Sequence, residues 1–301
     1  MMQADHLPIR PGAFQTWILA VRVPTLPAAI VPVLVGTAAA WTDGYFRAGP
    51  FVAAMVASLL IQIGTNLAND YFDFRKGADT AERLGPVRIT QSGLVPPETV
   101  RTATMLVFGL AALIGVYLTV AGGLPILVIG LCSIAAGVLY TGGPWPLAYH
   151  GLGDLTVFIF FGLVAVVGTV FLHTGAFSVT AVVYALPVAA LVTAILVVNN
   201  LRDIATDRVA GKRTLAVRLG PAATRMEYLL LLLVAYLVPP LAWVFLGASG
   251  WFWLPWLTLP IAAFLVRTVF TQAGRPLNVA LAGTGRLHLF FGVLWAVGIA
   301  L

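Results

Sequence analysis

Between Arg101 and Arg202 the chain carries one charged side chain, Asp154. A soluble domain has about 25% charged residues; this chain of 301 residues has 9%, against 60% hydrophobic. Its mean hydropathy is +0.98. Lipid is therefore its solvent, and in lipid each backbone N–H and C=O must be paired inside a helix or a closed barrel. The apolar runs are continuous rather than alternating, which selects helices. A run of about 20 apolar residues crosses the hydrocarbon core. Nine are read, at 17–41, 50–69, 100–121, 124–141, 154–173, 179–200, 226–247, 251–271 and 286–301. The expectation is an all-α, polytopic membrane bundle of about nine transmembrane helices. It forms one integral-membrane domain over 1–301, capped by loops at about 70–99 and 201–225.

The first run is too long for a cleaved signal peptide and holds Arg22, Pro24 and Pro27. Cys132, the sole cysteine, lies in an apolar run and is read as packing. Orientation follows from the cations. Arg10, Arg75, Lys76, Arg83, Arg88, Arg202, Arg208, Lys212, Arg213, Arg218, Arg225, Arg275 and Arg286 fall in one set of connections, and Arg47 almost alone in the other. The positive-inside rule then puts the N-terminus in the cytoplasm and the C-terminus outside. The expected location is the cell's inner (plasma) membrane. The pI near 9.8 reflects this bias, and no nucleic-acid module is present to give it another meaning.

Five of the eleven acids fall in two short windows. The first, NLANDYFDFRKGAD, runs from Asn66 to Asp79 and holds Asp70, Asp73 and Asp79. The second, NNLRDIATDRVAGKRT, runs from Asn199 to Thr214 and holds Asp203 and Asp207. Each closes a run that ends at the cytoplasmic face, and the Asn-x3-Asp pattern of Asn66 and Asp70 repeats at Asn199 and Asp203. If the helices continue through the windows, Asn69 and Asp73 share a face, as do Asp203 and Asp207. Carboxylates at a helix C-terminus are disfavoured by roughly 0.3–1 kcal/mol each, and a divalent cation reverses that sign. Magnesium takes oxygen ligands, commonly one or two carboxylates plus substrate phosphates. Lys76, Lys212 and Arg213 stand beside the acids, which suits a diphosphate; they also serve as topology determinants.

These windows resemble the two aspartate motifs of the UbiA-type intramembrane prenyltransferases. With RVPTLPAAIVPVLVG, GPVRITQSGL (Gly85–Leu94) and YTGGPWPLAYHGLGD (Tyr140–Asp154), the chain is most similar to the 1,4-dihydroxy-2-naphthoate polyprenyltransferases of menaquinone synthesis. That resemblance implies transfer of a polyprenyl group from its diphosphate to 1,4-dihydroxy-2-naphthoate. Carbon dioxide and diphosphate leave, and a demethylmenaquinone forms. The implied cofactor is Mg2+. The metal ligands would be drawn from Asn69, Asp70, Asp73, Asp79, Asp203 and Asp207. Asp79 is displaced from the family's spacing, where Gly77 stands.

Tyr140 and Tyr149 would offer aromatic faces to a developing cation, or belong to an interfacial belt. Asp154 would orient or deprotonate the acceptor, or cap its helix. Arg22, a charge inside the first run, is functional by default or snorkels to the interface. Arg88 and Gln91 lie in a loop long enough to cover a site. Asn66 and Asn200 complete the substrate-binding set. Two other classes stay open. One is the same chemistry on another aromatic acceptor, such as hydroxybenzoate or homogentisate. The other is a secondary transporter, which would carry its ionisable residues at mid-membrane rather than at the helix ends.

Overall fold

The computed structural model describes residues 11–78, 84–247 and 249–301, and these form helices and connections only. The helices are α1 (Ala13–Val21), α2 (Pro27–Thr42), α3 (Ala48–Arg75), α4 (Pro97–Gly122), α5 (Leu124–Leu139), α6 (Gly153–Val157), α7 (Ala165–Thr174), α8 (Val179–Val209), α9 (Leu215–Leu246), α10 (Leu259–Thr271) and α11 (Leu277–Ala300). A π-helical segment, Phe158–Val164, joins α6 to α7, and a 3₁₀ segment, Gly250–Thr258, leads into α10. Among the described residues, seven helices or joined helices are long and apolar enough to cross a membrane, and the bent pair formed by α1 and α2 raises this to eight. The sixteen-residue α5 is apolar but shorter than a full crossing.

The first run differs from its expectation of one helix over 17–41. It breaks by 48°, and Arg22 sits at the break in the left-handed conformation (φ 54°) rather than inside a helix. Pro24 and Pro27 explain why: each lacks an N–H to donate to the carbonyl four residues earlier, and its ring crowds that carbonyl. The carbonyls freed by the break are taken up locally and by α3. Arg22 O accepts from Thr25 N at 2.8 Å and Thr25 Oγ1 at 2.9 Å. Val21 O accepts from Asn66 Nδ2 at 3.0 Å, and Thr25 Oγ1 accepts from Asn66 Nδ2 and Gln62 Nε2.

Helix α8 is the axis of the bundle, packed by α2, α6, α7, the π-helical segment, α9 and α11. Its buried face is mostly small, with Ala185, Val188, Ala189, Ala190 and Ala194 among its members. Small residues let membrane helices approach closely. Gly162 shows how closely: a Cβ there would stand 2.1 Å from the Ala189 Cβ. The aromatic end of the core joins Tyr184, Phe252 and Trp295, with centroids 4.8–5.7 Å apart. At the end of the bundle away from the aspartates, Arg47 Nη1 donates to the Ala121 and Leu172 carbonyls at 3.0 and 3.1 Å. That pairs carbonyls that the final turns of α4 and α7 leave open. An apolar groove of about 550 Å³ opens sideways between α5, the π-helical segment and α7, lined by Leu124, Val128, Leu163, Val167 and Phe177 among others.

Candidate active site

Both aspartate windows begin as helix, to Arg75 in the first and to Val209 in the second. Asn69, Asp70 and Asp73 ride the last turns of α3, and Asn200, Asp203 and Asp207 the last turns of α8. The two ends meet through Asp73. Its carboxylate is almost fully buried, and Tyr149 Oη donates to Oδ1 at 2.8 Å. On Oδ2 converge Arg88 Nη2 at 3.2 Å and Lys212 Nζ at 3.1 Å. A buried charge is tolerated only when paired and hydrogen-bonded, and Asp73 is both. Lys212 comes from the second window, so this ion pair links the windows directly.

Tyr149 is held among cations. Lys76 Nζ lies 5.0 Å and Lys212 Nζ 4.9 Å from its ring centroid. Lys76 also donates to the Thr141 carbonyl at 2.7 Å and to that of Gly143 at 3.3 Å. Partial burial, opposed by Asp73 and reinforced by Lys212, holds the Lys76 ammonium below its usual pKa. The Tyr149 carbonyl accepts from Arg213 N at 3.0 Å, while the Arg213 side chain faces solvent. Arg218 fixes the same junction by donating to the His150 and Arg213 carbonyls at 2.8 and 3.1 Å.

A strap over the site follows the first window. Leu84 to Val95 lead into α4, with Ile89 fully buried in a cluster with Ala20, Leu67 and Val100. Asp70 holds the strap's backbone: Ile89 N donates to Oδ2 at 3.1 Å and Thr90 N to Oδ1 at 3.2 Å. Both oxygens of this carboxylate are thus engaged by the fold itself. Gln91, in the same turn, is half-buried. Asp203 is engaged too. Arg202 Nε donates to Oδ1 at 2.8 Å and Arg202 Nη2 to Oδ2. Asn69 Oδ1 accepts from Thr141 Oγ1 at 2.8 Å. Asp207 is half-buried, one turn beyond Asp203, and Asn200 is buried on the same helix. Asn66, one turn before Asp70 on α3, ties that helix to the break at Arg22. Asp79 lies outside the described residues.

Tyr140 and Asp154 form a second part of the site. Tyr140 follows α5 directly, and its hydroxyl lies against Gly153, where a Cβ would stand 3.1 Å from Oη. The carboxylates of Asp154, Asp73 and Asp207 all act electrostatically on this phenol. Asp154 opens α6, is 6% exposed, and its Oδ2 has no hydrogen-bond partner. A buried oxygen without a donor is costly, and the hydroxyl of a bound ligand would satisfy it.

Among the described residues no three His, Cys, Asp or Glu side chains gather as a metal cluster. The donor set is nevertheless all oxygen, with cations beside it. That fits a magnesium ion which takes one or two carboxylates here and the rest of its ligands from phosphate. Three contributors were not foreseen from the sequence: Thr141, Arg202 as an internal partner of Asp203, and Asn278, which bonds Arg202 at 2.7 Å. Gln62 carried a faint signal, a lone amide in an uncharged run one turn before Asn66.

The fold and site define an all-helical membrane protein whose paired acidic helix ends suit a phosphorylated ligand. The chain belongs to the UbiA prenyltransferase family, whose model matches residues 29–299. It is 41% identical over 291 residues to the 1,4-dihydroxy-2-naphthoate octaprenyltransferase of Mycobacterium tuberculosis, covering 96% of this chain and 97% of the relative. It is 36% identical over 297 residues to that of Escherichia coli, covering 95% and 96%. Among solved structures it resembles a UbiA homolog from Aeropyrum pernix K1, with a TM-score of 0.68 and 16% identity, over 90% of this chain and 96% of that one. A UbiA homolog from Archaeoglobus fulgidus bound to GPP and Mg2+ gives a TM-score of 0.64 at 16% identity, over 95% and 100%.

Proposed function

We propose that this chain is a magnesium-dependent aromatic prenyltransferase that joins a polyprenyl group to 1,4-dihydroxy-2-naphthoate, with loss of carbon dioxide and diphosphate, to give a demethylmenaquinone. The relatives at 36–41% identity are named as 1,4-dihydroxy-2-naphthoate octaprenyltransferases, which supports the acceptor and the transfer of a prenyl group. The observation that carries the reading is the Asp73 cluster, where one buried carboxylate gathers Arg88, Lys212 and Tyr149 from three separate connections. Such a group is ready to trade a carboxylate for a diphosphate.

Asn69, Asp73, Asp203 and Asp207 would hold the metal, and the Archaeoglobus homolog with GPP and Mg2+ supports that choice of ion. Magnesium, when bound, would neutralise the departing diphosphate. Arg88 and Lys212 would move from Asp73 to phosphate oxygens, with Lys76 beside them. Tyr140, near Asp154, would face the acceptor, whose hydroxyl the open Oδ2 of Asp154 would orient or deprotonate. The donor tail would leave sideways into lipid. The chain would sit in the inner membrane as one domain with α5 as the ninth crossing, N-terminus and site in the cytoplasm, and C-terminus outside.

The test uses the purified chain in lipid vesicles with geranylgeranyl diphosphate and a panel of acceptors. Diphosphate release with 1,4-dihydroxy-2-naphthoate should stop with EDTA and return with magnesium. No release with any acceptor would sink the reading; release only with hydroxybenzoate or homogentisate would change the acceptor. Lys212→Ala removes one charge-assisted contact worth about 1.5–3 kcal/mol. It should raise the donor KM about ten-fold, and unchanged kinetics would leave Lys212 to topology.

A further inference from the structure

Asn278 stands outside both aspartate windows, at the start of α11. Its side chain works at both ends. Oδ1 accepts from Arg202 Nη1 at 2.7 Å, and Nδ2 donates to the Leu84 carbonyl at 2.9 Å. Arg202 has no exposed side-chain surface. Its Nε and Nη2 serve Asp203, and Nη2 also donates to Asn199 Oδ1 at 2.9 Å. The strap lies on the guanidinium: a Cβ at Gly85 would stand 2.6 Å from Nη2. A guanidinium is a rigid planar fork, so its partners set its orientation as a unit. Nη1 is the nitrogen that Asp203 and Asn199 leave over, and Asn278 takes it.

We propose that Asn278 is a positioning residue for the metal–diphosphate site: through Arg202 it fixes the direction in which Asp203 presents its carboxylate. The proposal rests on the reading that Asp203 serves a magnesium diphosphate. It assigns a role to the last helix of the bundle, which neither aspartate window contains. Partners that orient a ligand from behind typically carry 10–100-fold in metal affinity.

Two variants divide the alternatives. Asn278→Ala removes both hydrogen bonds. Asn278→Asp keeps an acceptor for Arg202 and loses the donor to Leu84. The full chain in detergent is titrated with Mn2+ in the presence of inorganic pyrophosphate, followed by electron paramagnetic resonance. Magnesium dependence and acceptor KM are measured in parallel. Asn278→Ala should weaken Mn2+–pyrophosphate binding about ten-fold, raise the magnesium needed for half-maximal rate by a similar factor, and leave the acceptor KM within about twofold. Asn278→Asp should stay close to wild type in metal binding. Metal binding unchanged in Asn278→Ala would overturn the proposal. So would an Asn278→Asp variant as weak as Asn278→Ala, because the effect would then belong to Leu84. If the wild-type chain binds no Mn2+–pyrophosphate, the prenyl-transfer reading falls and this proposal with it; the two variant outcomes overturn the role of Asn278 alone.

Discussion

Asp73→Ala should lower turnover at least about a thousand-fold, equivalent to roughly 4 kcal/mol of transition-state stabilisation. The argument is one of charge. Asp73 is buried with Arg88 and Lys212 on one oxygen and Tyr149 on the other. Deleting it takes a buried anion away from two cations, and breaking a buried pair typically costs about 3–5 kcal/mol of stability. It also makes the site more positive. Pyrophosphate without metal should therefore bind as tightly as before or more tightly, while metal-dependent turnover collapses. That split separates a lost metal ligand from a damaged fold, which would weaken both. The checks are monodispersity in detergent, pyrophosphate binding and diphosphate release. More than about one per cent residual turnover would remove Asp73 from the chemistry.

Asp70→Asn should act through the strap. The aspartate accepts the Ile89 and Thr90 N–H groups, one on each oxygen. An amide of the same shape accepts one and opposes the other with its own NH2. Hydrogen bonds to a charged group contribute about 1.5–3 kcal/mol each, and an unpaired buried N–H adds its desolvation cost. The expected loss is about 3 kcal/mol in the local stability of the strap. It would be read as faster amide exchange at Ile89 and Thr90 and faster proteolysis between Leu84 and Val95, with exchange in α8 unchanged. Activity should fall because Arg88 is carried on the same strap. Slow exchange at both amides, together with lost activity, would move Asp70 from support into the reacting site.

Much of the helical layout is written in charge placement. A hundred residues with one acid can only be membrane-embedded helix and its turns, and the aspartates mark where α3 and α8 end. What the sequence leaves open is which carboxylates are already occupied. Asp70 and Asp73 look alike in spacing, yet the donors to Asp70 are backbone N–H groups about twenty residues away, and backbone leaves no mark in residue identity. Asp203 and Asp207 look alike too, but Asp203 is held by its own neighbour Arg202, which in turn depends on Asn278, far along the chain. Long-range hydrogen bonds of this kind carry no local periodicity. The break at Arg22 was legible in principle: Pro24 and Pro27 announce it, and hydropathy alone conceals it.

That break has a consequence for packing. In hydrocarbon an unpaired carbonyl is costly, and Val21 finds its partner in Asn66, on the segment synthesised next. The break in this bent first span is thus closed only where α3 lies beside it. The Asn66 amide is the tie by which α3 closes the gap that the prolines open in the preceding span.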